Sequence, residues 1–285
     1  MKKIIITVFI FAMLITIVSC SNESVKHTSQ LLTSMTQYDI SGKELSKDTY
    51  VYDENGHLIE ENTFSEDYSS KTVYLYNEKG QLIKETQTNC FDSKIEIYSF
   101  TYEYDKNNSL VTKNRFNENN QQIGQISYEY DSKNRLIKVS DTTINQTATY
   151  IYRDNNEYSV KTEIILDNNT FYSIISYELD DNGNILHQIA YAQNSDDEIE
   201  QEDYYNYNER NQITSSKTYF LGILVNKVEY EYNGSLLVKK ILYDEVGIYQ
   251  IEEFDYNEND DIIKQTRKSR SGVIQNYLVF EYSEK

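Results

Sequence analysis

The side chains that could do chemistry in this 285-residue chain are 28 tyrosines, 46 carboxylates, 3 histidines and 2 cysteines. His27, His57 and His187 stand at separations that suggest no shared site, so they read as solvated or strand-filling residues. Asp196-Asp197-Glu198, with Glu200, Glu202 and Asp203, could offer calcium its oxygen ligands, as could Asp180-Asp181-Asn182-Gly183-Asn184. Neither run has the spacing of a known calcium loop, and solvated turns are the simpler reading. No P-loop, dinucleotide fingerprint, nucleophile elbow or HExxH pair is present. Nothing singles out two carboxylates as an acid and a base. A noncatalytic protein without cofactor or metal is expected.

Twenty-seven basic residues leave a formal net charge of −19. Such a surface repels phosphate backbones, which argues against nucleic acid as a partner. Arg267-Lys268-Ser269-Arg270 is a local basic spot, read as a turn between strands. Tyrosine is the outlier of the composition, accompanied by 10 Phe, no Trp and no Pro.

The tyrosines are spaced by a repeat. Tyr50-Val-Tyr52-DENGHLIE is followed by Tyr74-Leu-Tyr76-NEKGQLIK, Tyr102-Glu-Tyr104-DKNNSLVT and Tyr128-Glu-Tyr130-DSKNRLIK. Six further copies end at Phe280-Glu-Tyr282, with a period near 26 that varies by a few residues. The aromatic and β-branched run reads as a strand, the Asx-led stretch as a turn, and the Leu-Ile or Leu-Val pair as the returning strand. The turn needs φ > 0 near its end. Gly56, Gly80 and Gly183 meet that need, and so do Asn108, Asn134, Asn156 and Asn211.

Two strands per repeat give an all-β antiparallel hairpin meander over residues 38–285, with on the order of 20 strands. A sheet so long is expected to coil or to form a partial shell. A hairpin loop with a bulge would put Tyr52 opposite Leu58, Tyr76 opposite Leu82, Tyr104 opposite Leu110 and Tyr130 opposite Leu136. Tyr50, Tyr52, Tyr74, Tyr76, Tyr102, Tyr104, Tyr128 and Tyr130 then share one face. That face is a candidate for packing, or for a glycan, peptide or protein ligand, and burial is the favoured expectation.

The unit Y-x-Y-D-x-x-G-x-L-I resembles the YD repeat of the Rhs family of bacterial surface and toxin proteins. The residues that carry the resemblance include Tyr50, Tyr52, Asp53, Gly56 and Leu58, and Tyr128, Tyr130, Asp131 and Leu136. It implies a spiralling antiparallel sheet that can wrap a hollow shell, and an alternative role in a toxin or surface-antigen system.

Residues 1–19 hold Lys2, Lys3 and an apolar stretch from Ile4 to Val18, as a signal peptide does. Ile17-Val18-Ser19-Cys20 resembles the bacterial lipobox, which implies cleavage before Cys20 and lipid on its thiol. Several acyl chains hold a protein at a bilayer where one is marginal. The expected site is the cell envelope: the outer membrane in a two-membrane bacterium, otherwise the outer face of the cell membrane. Residues 20–37 read as a polar tether with room for a short helix around Leu31, and Cys90 as a lone thiol.

Overall fold

A computed structural model describes residues 30–92, 94–153, 156–166 and 169–283. The signal segment, Cys20, His27 and most of the expected tether lie outside the described residues. Twenty strands form one antiparallel sheet in which each pairs with its sequence neighbours. They begin with β1 (Leu32–Asp39), β2 (Glu44–Tyr52), β3 (Leu58–Ser65) and β4 (Tyr68–Tyr76). Next come β5 (Leu82–Phe91), β6 (Lys94–Tyr104), β7 (Leu110–Phe116), β8 (Gln122–Tyr130) and β9 (Leu136–Asp141). The last pair is β19 (Ile262–Ser269) and β20 (Ile274–Tyr282).

The sheet closes on itself. β1 pairs with β2 on one side and with β20 on the other, from Leu32 opposite Tyr282 to Asp39 opposite Asn276. Ser34 Oγ donates to Glu281 across this seam at 2.6 Å, and the Ser283 amide donates to the Leu31 carbonyl at 2.8 Å. The expected coiled sheet or partial shell is therefore a closed barrel. The difference comes from residues 32–37, read from sequence as tether, which are strand. They supply the twentieth strand, and an even number lets the first and last strands run antiparallel. No helix forms at Leu31.

In the four repeats counted from the sequence the expected register holds. Tyr52 pairs with Leu58, Tyr76 with Leu82, Tyr104 with Leu110 and Tyr130 with Leu136, each after a bulge. The turn is built by its first residue: Asp53 Oδ1 accepts the amides of Asn55 and His57, both at 2.9 Å. The same carboxylate pattern recurs at Asp105, Asp131 and Asp180, and the side-chain carbonyl of Asn77, Asn208 and Asn257 replaces it elsewhere. Gly56 has φ 83° and Asn134 has φ 60°, so the alternation of Gly and Asn follows the left-handed position.

Among the described residues no apolar side chain is fully buried. Strand backbones approach only those of their ladder neighbours. Twenty strands about 4.8 Å apart, tilted by about 35°, give a round barrel a backbone radius of roughly 19 Å. The barrel is hollow.

Candidate functional site

Alternation along the strands sorts side chains onto two faces. Val51, Leu75, Ile95 and Ile151 lie on one, with 45%, 55%, 60% and 50% of their surface exposed. The paired tyrosines lie on the other and are half-buried. On a closed barrel the concave side is the crowded one, so the tyrosines line the lumen. Their titration agrees. Burial is the largest cause of the raised pKa at Tyr50, Tyr158, Tyr177 and Tyr205, each pushed up to about 12. Tyr172, Tyr204 and Tyr243, on the outer face, are raised first by a hydrogen bond to a carboxylate.

The eight tyrosines singled out from sequence thus share one surface, and they belong to two larger rows. The deeper row has an aromatic at every repeat: Tyr50, Tyr74, Tyr102, Tyr128 and Tyr150 lead on to Phe280. The row beside the turns runs from Tyr52 to Tyr282 and is broken only by Leu179. Its hydroxyls clasp the preceding hairpin. Tyr76 Oη donates to the Leu58 carbonyl at 2.8 Å, Tyr104 to Leu82 at 2.9 Å and Tyr130 to Leu110 at 2.9 Å. Tyr152, Tyr207, Tyr256 and Tyr282 repeat the bond. Tyr158 stacks on Tyr177 with 4.5 Å between ring centroids.

Charged groups sit among these rings. Glu85, 7% exposed, accepts from the Tyr102 hydroxyl and the Gln87 amide, and Lys113 Nζ lies 3.9 Å away. Glu252, 8% exposed, holds Arg267 Nε at 3.2 Å and Lys240 Nζ at 4.0 Å. Asp203 accepts from Thr218 at 2.6 Å and Gln201 at 2.7 Å. Asp203 and Arg267 stood in the acidic run and the basic spot of the sequence, whereas Glu85, Lys113, Lys240 and Glu252 carried no signal there; cross-strand register puts Glu85 opposite Tyr74 on the tyrosine face.

The other sequence candidates have local partners. His57 Nδ1 lies 3.0 Å from Asp53 Oδ2 and its ring stacks on Tyr76. His187 Nε2 lies 3.2 Å from Glu202 and stacks on Tyr204. Asp180 is engaged by the Asn182 and Asn184 amides of its own turn. Among the described residues no group of three or more His, Cys, Asp or Glu converges as metal ligands do. Arg267 and Lys268 lie on β19 rather than in a turn; Ser269 ends the strand and Arg270 begins the turn that follows. Cys90 is a free thiol on β5, opposite Ser69.

The outer face is charged all round. Lys71 pairs with Glu60 at 2.8 Å, Lys138 with Glu129 at 3.0 Å, Lys161 with Glu163 at 3.1 Å and Lys239 with Glu231 at 3.2 Å. A lipid-facing charge near the bilayer midplane costs about 2–4 kcal/mol, so this surface suits water.

No known family's sequence profile matches the chain, and no curated protein matches it. Solved structures do show likeness. A porin-like protein from Bacteroides uniformis is 9% identical, with 88% of this chain and 98% of that one covered, at a TM-score of 0.40. A porin-like protein from Bacteroides vulgatus is 9% identical, with 90% and 100% covered, at 0.33. A structure of TcdB2-TccC3 is 11% identical at 0.21, and the match covers 83% of this chain and 20% of that one. At TM-scores below 0.5 these likenesses carry no argument here; the barrel is read from this chain's own ladders.

Proposed function

We propose that this protein is a noncatalytic cell-envelope lipoprotein that binds a glycan against the aromatic wall of its lumen. The carrying observation is the pair of aromatic rows, which present ring faces and hydroxyls together around a hollow barrel. Tyrosine suits such a ligand because its ring offers apolar area to the C–H face of a sugar while its hydroxyl serves the sugar's hydroxyls. The acidic groups between the rings add acceptors for those hydroxyls. Lipid on Cys20 would hold the barrel at the membrane surface, not in it, in keeping with the charged outer face.

A second reading, a component of a YD-type toxin or surface-antigen system, is favoured by the tenfold repeat and shares the same hollow wall. A glycan and cell-wall binding screen on the full chain in detergent micelles tests the first. Binding that weakens on Tyr102→Ala or Tyr128→Ala supports it. Uniform absence of binding to glycans and cell-wall fragments would remove it and leave the second.

A further inference from the structure

Five basic side chains project from strands into the lumen: Lys94, Lys113, Arg115, Lys240 and Arg267. Four of them have a carboxylate within 4.0 Å: Lys94 has Glu96, Lys113 has Glu85, and Lys240 and Arg267 share Glu252. Arg115 has none among the described residues, in a chain where acids outnumber bases 46 to 27. Its guanidinium instead lies over the Tyr98 ring, 4.3 Å from the centroid, and its buried Nε has no hydrogen-bond partner among the described residues. Lys113 stands two residues away on the same face, its Nζ 4.3 Å from the centroid of Phe100.

Arg115, Lys113 and Phe100 line a cavity of about 170 Å³, bounded also by Gln125, Ile126, Asp141, Thr143 and Ile144. Its space suits a single sugar ring. A guanidinium over an aromatic ring keeps its N–H groups for other partners, and with Nε buried the terminal edge of Arg115 is the one left to grip a carboxylate by two parallel hydrogen bonds. The ammonium of Lys113, shared with Glu85 at 3.9 Å, lies beside it, and Phe100 offers a face for the ring that carries the carboxylate. Asp141 opposes an anion at the cavity's edge, where its Oδ1 accepts the Thr143 amide at 2.7 Å, and the selectivity falls to Arg115.

We propose that Arg115 and Lys113, over Tyr98 and Phe100, form a subsite for the carboxylate of a uronic acid within a bound glycan. The inference rests on the glycan reading above and adds selectivity to it. The test is calorimetric titration of the full chain in detergent micelles with digalacturonate and, separately, with cellobiose, a neutral sugar of the same length. Wild type is expected to prefer digalacturonate. Arg115→Met is expected to erase that preference, with digalacturonate affinity falling at least tenfold. Arg115→Lys, which keeps the charge and loses the fork, is expected to retain only part of it and serves if the Met variant does not fold. Cellobiose bound as well as digalacturonate by wild type, or a preference that survives both substitutions, would overturn the subsite and leave the glycan reading standing. Neither sugar bound by wild type would overturn both.

Discussion

Removing one strand should cost more stability than removing a whole repeat. β20 makes two ladders, one with β19 and one with β1. The ladder to β19 offsets the conformational entropy lost when β20 is ordered. The ladder to β1 adds its seven residue pairs without ordering another strand. At about 0.5–1.5 kcal/mol for each hydrogen bond, closure contributes roughly 4–10 kcal/mol. Deleting residues 274–285 leaves nineteen strands, whose first and last members run parallel and cannot re-form the antiparallel seam. Deleting residues 105–130 instead joins Tyr104 to Asp131, removes β7 and β8 together, and keeps an even strand count with the repeat in phase. At about 0.05–0.15 kcal/mol per residue that loss is roughly 1–4 kcal/mol. Urea unfolding followed by circular dichroism measures both, and sedimentation velocity detects association through the two exposed edges of the shorter deletion. A strand deletion that unfolds like wild type, or a repeat deletion that costs more than it, would refute closure as a source of stability.

Other outcomes follow from single groups. Tyr104→Phe and Tyr130→Phe each lose one bond to a hairpin carbonyl and should lower unfolding stability by about 1 kcal/mol apiece, measured by urea titration. The lumen tyrosines whose folded pKa rises to about 12 lie above the value near 10 expected when unfolded. Their contribution is complete below about pH 10 and is lost as pH climbs toward 12, so melting temperature should hold level and then fall over that interval. Cys20→Ala should abolish lipid labelling; unchanged labelling and membrane fractionation would contradict the anchor.

Much of this architecture is legible in the residues. The Asx-x-x-Gly turn dictates its own hydrogen bonds, so the hairpin register at Tyr52 and Leu58 followed from counting. The shared tyrosine face followed from strand alternation. Closure did not, because Leu32–Asp39 lies largely outside the repeat and carries no aromatic pair, and because its pairing with β20 joins residues some 240 positions apart. The lumen charges were equally hidden. Lys113 and Arg115 read as ordinary polar residues of a returning strand until their register opposite Tyr102 and Phe100 puts them on the concave face. The favoured burial of the tyrosine face is met only by half, since a hollow barrel has no opposing layer to cover it.

Closure is tested most directly by a bond across the seam. Met35 on β1 stands opposite Phe280 on β20, so cysteines placed at both positions face each other in one ladder. In a chain also carrying Cys20→Ala and Cys90→Ser, Met35→Cys with Phe280→Cys should form an intramolecular disulfide under mild oxidation, detected by thiol titration and by faster migration of the denatured monomer. Cysteines that stay reduced, or that pair only between molecules while the sheet remains folded, would contradict a closed barrel.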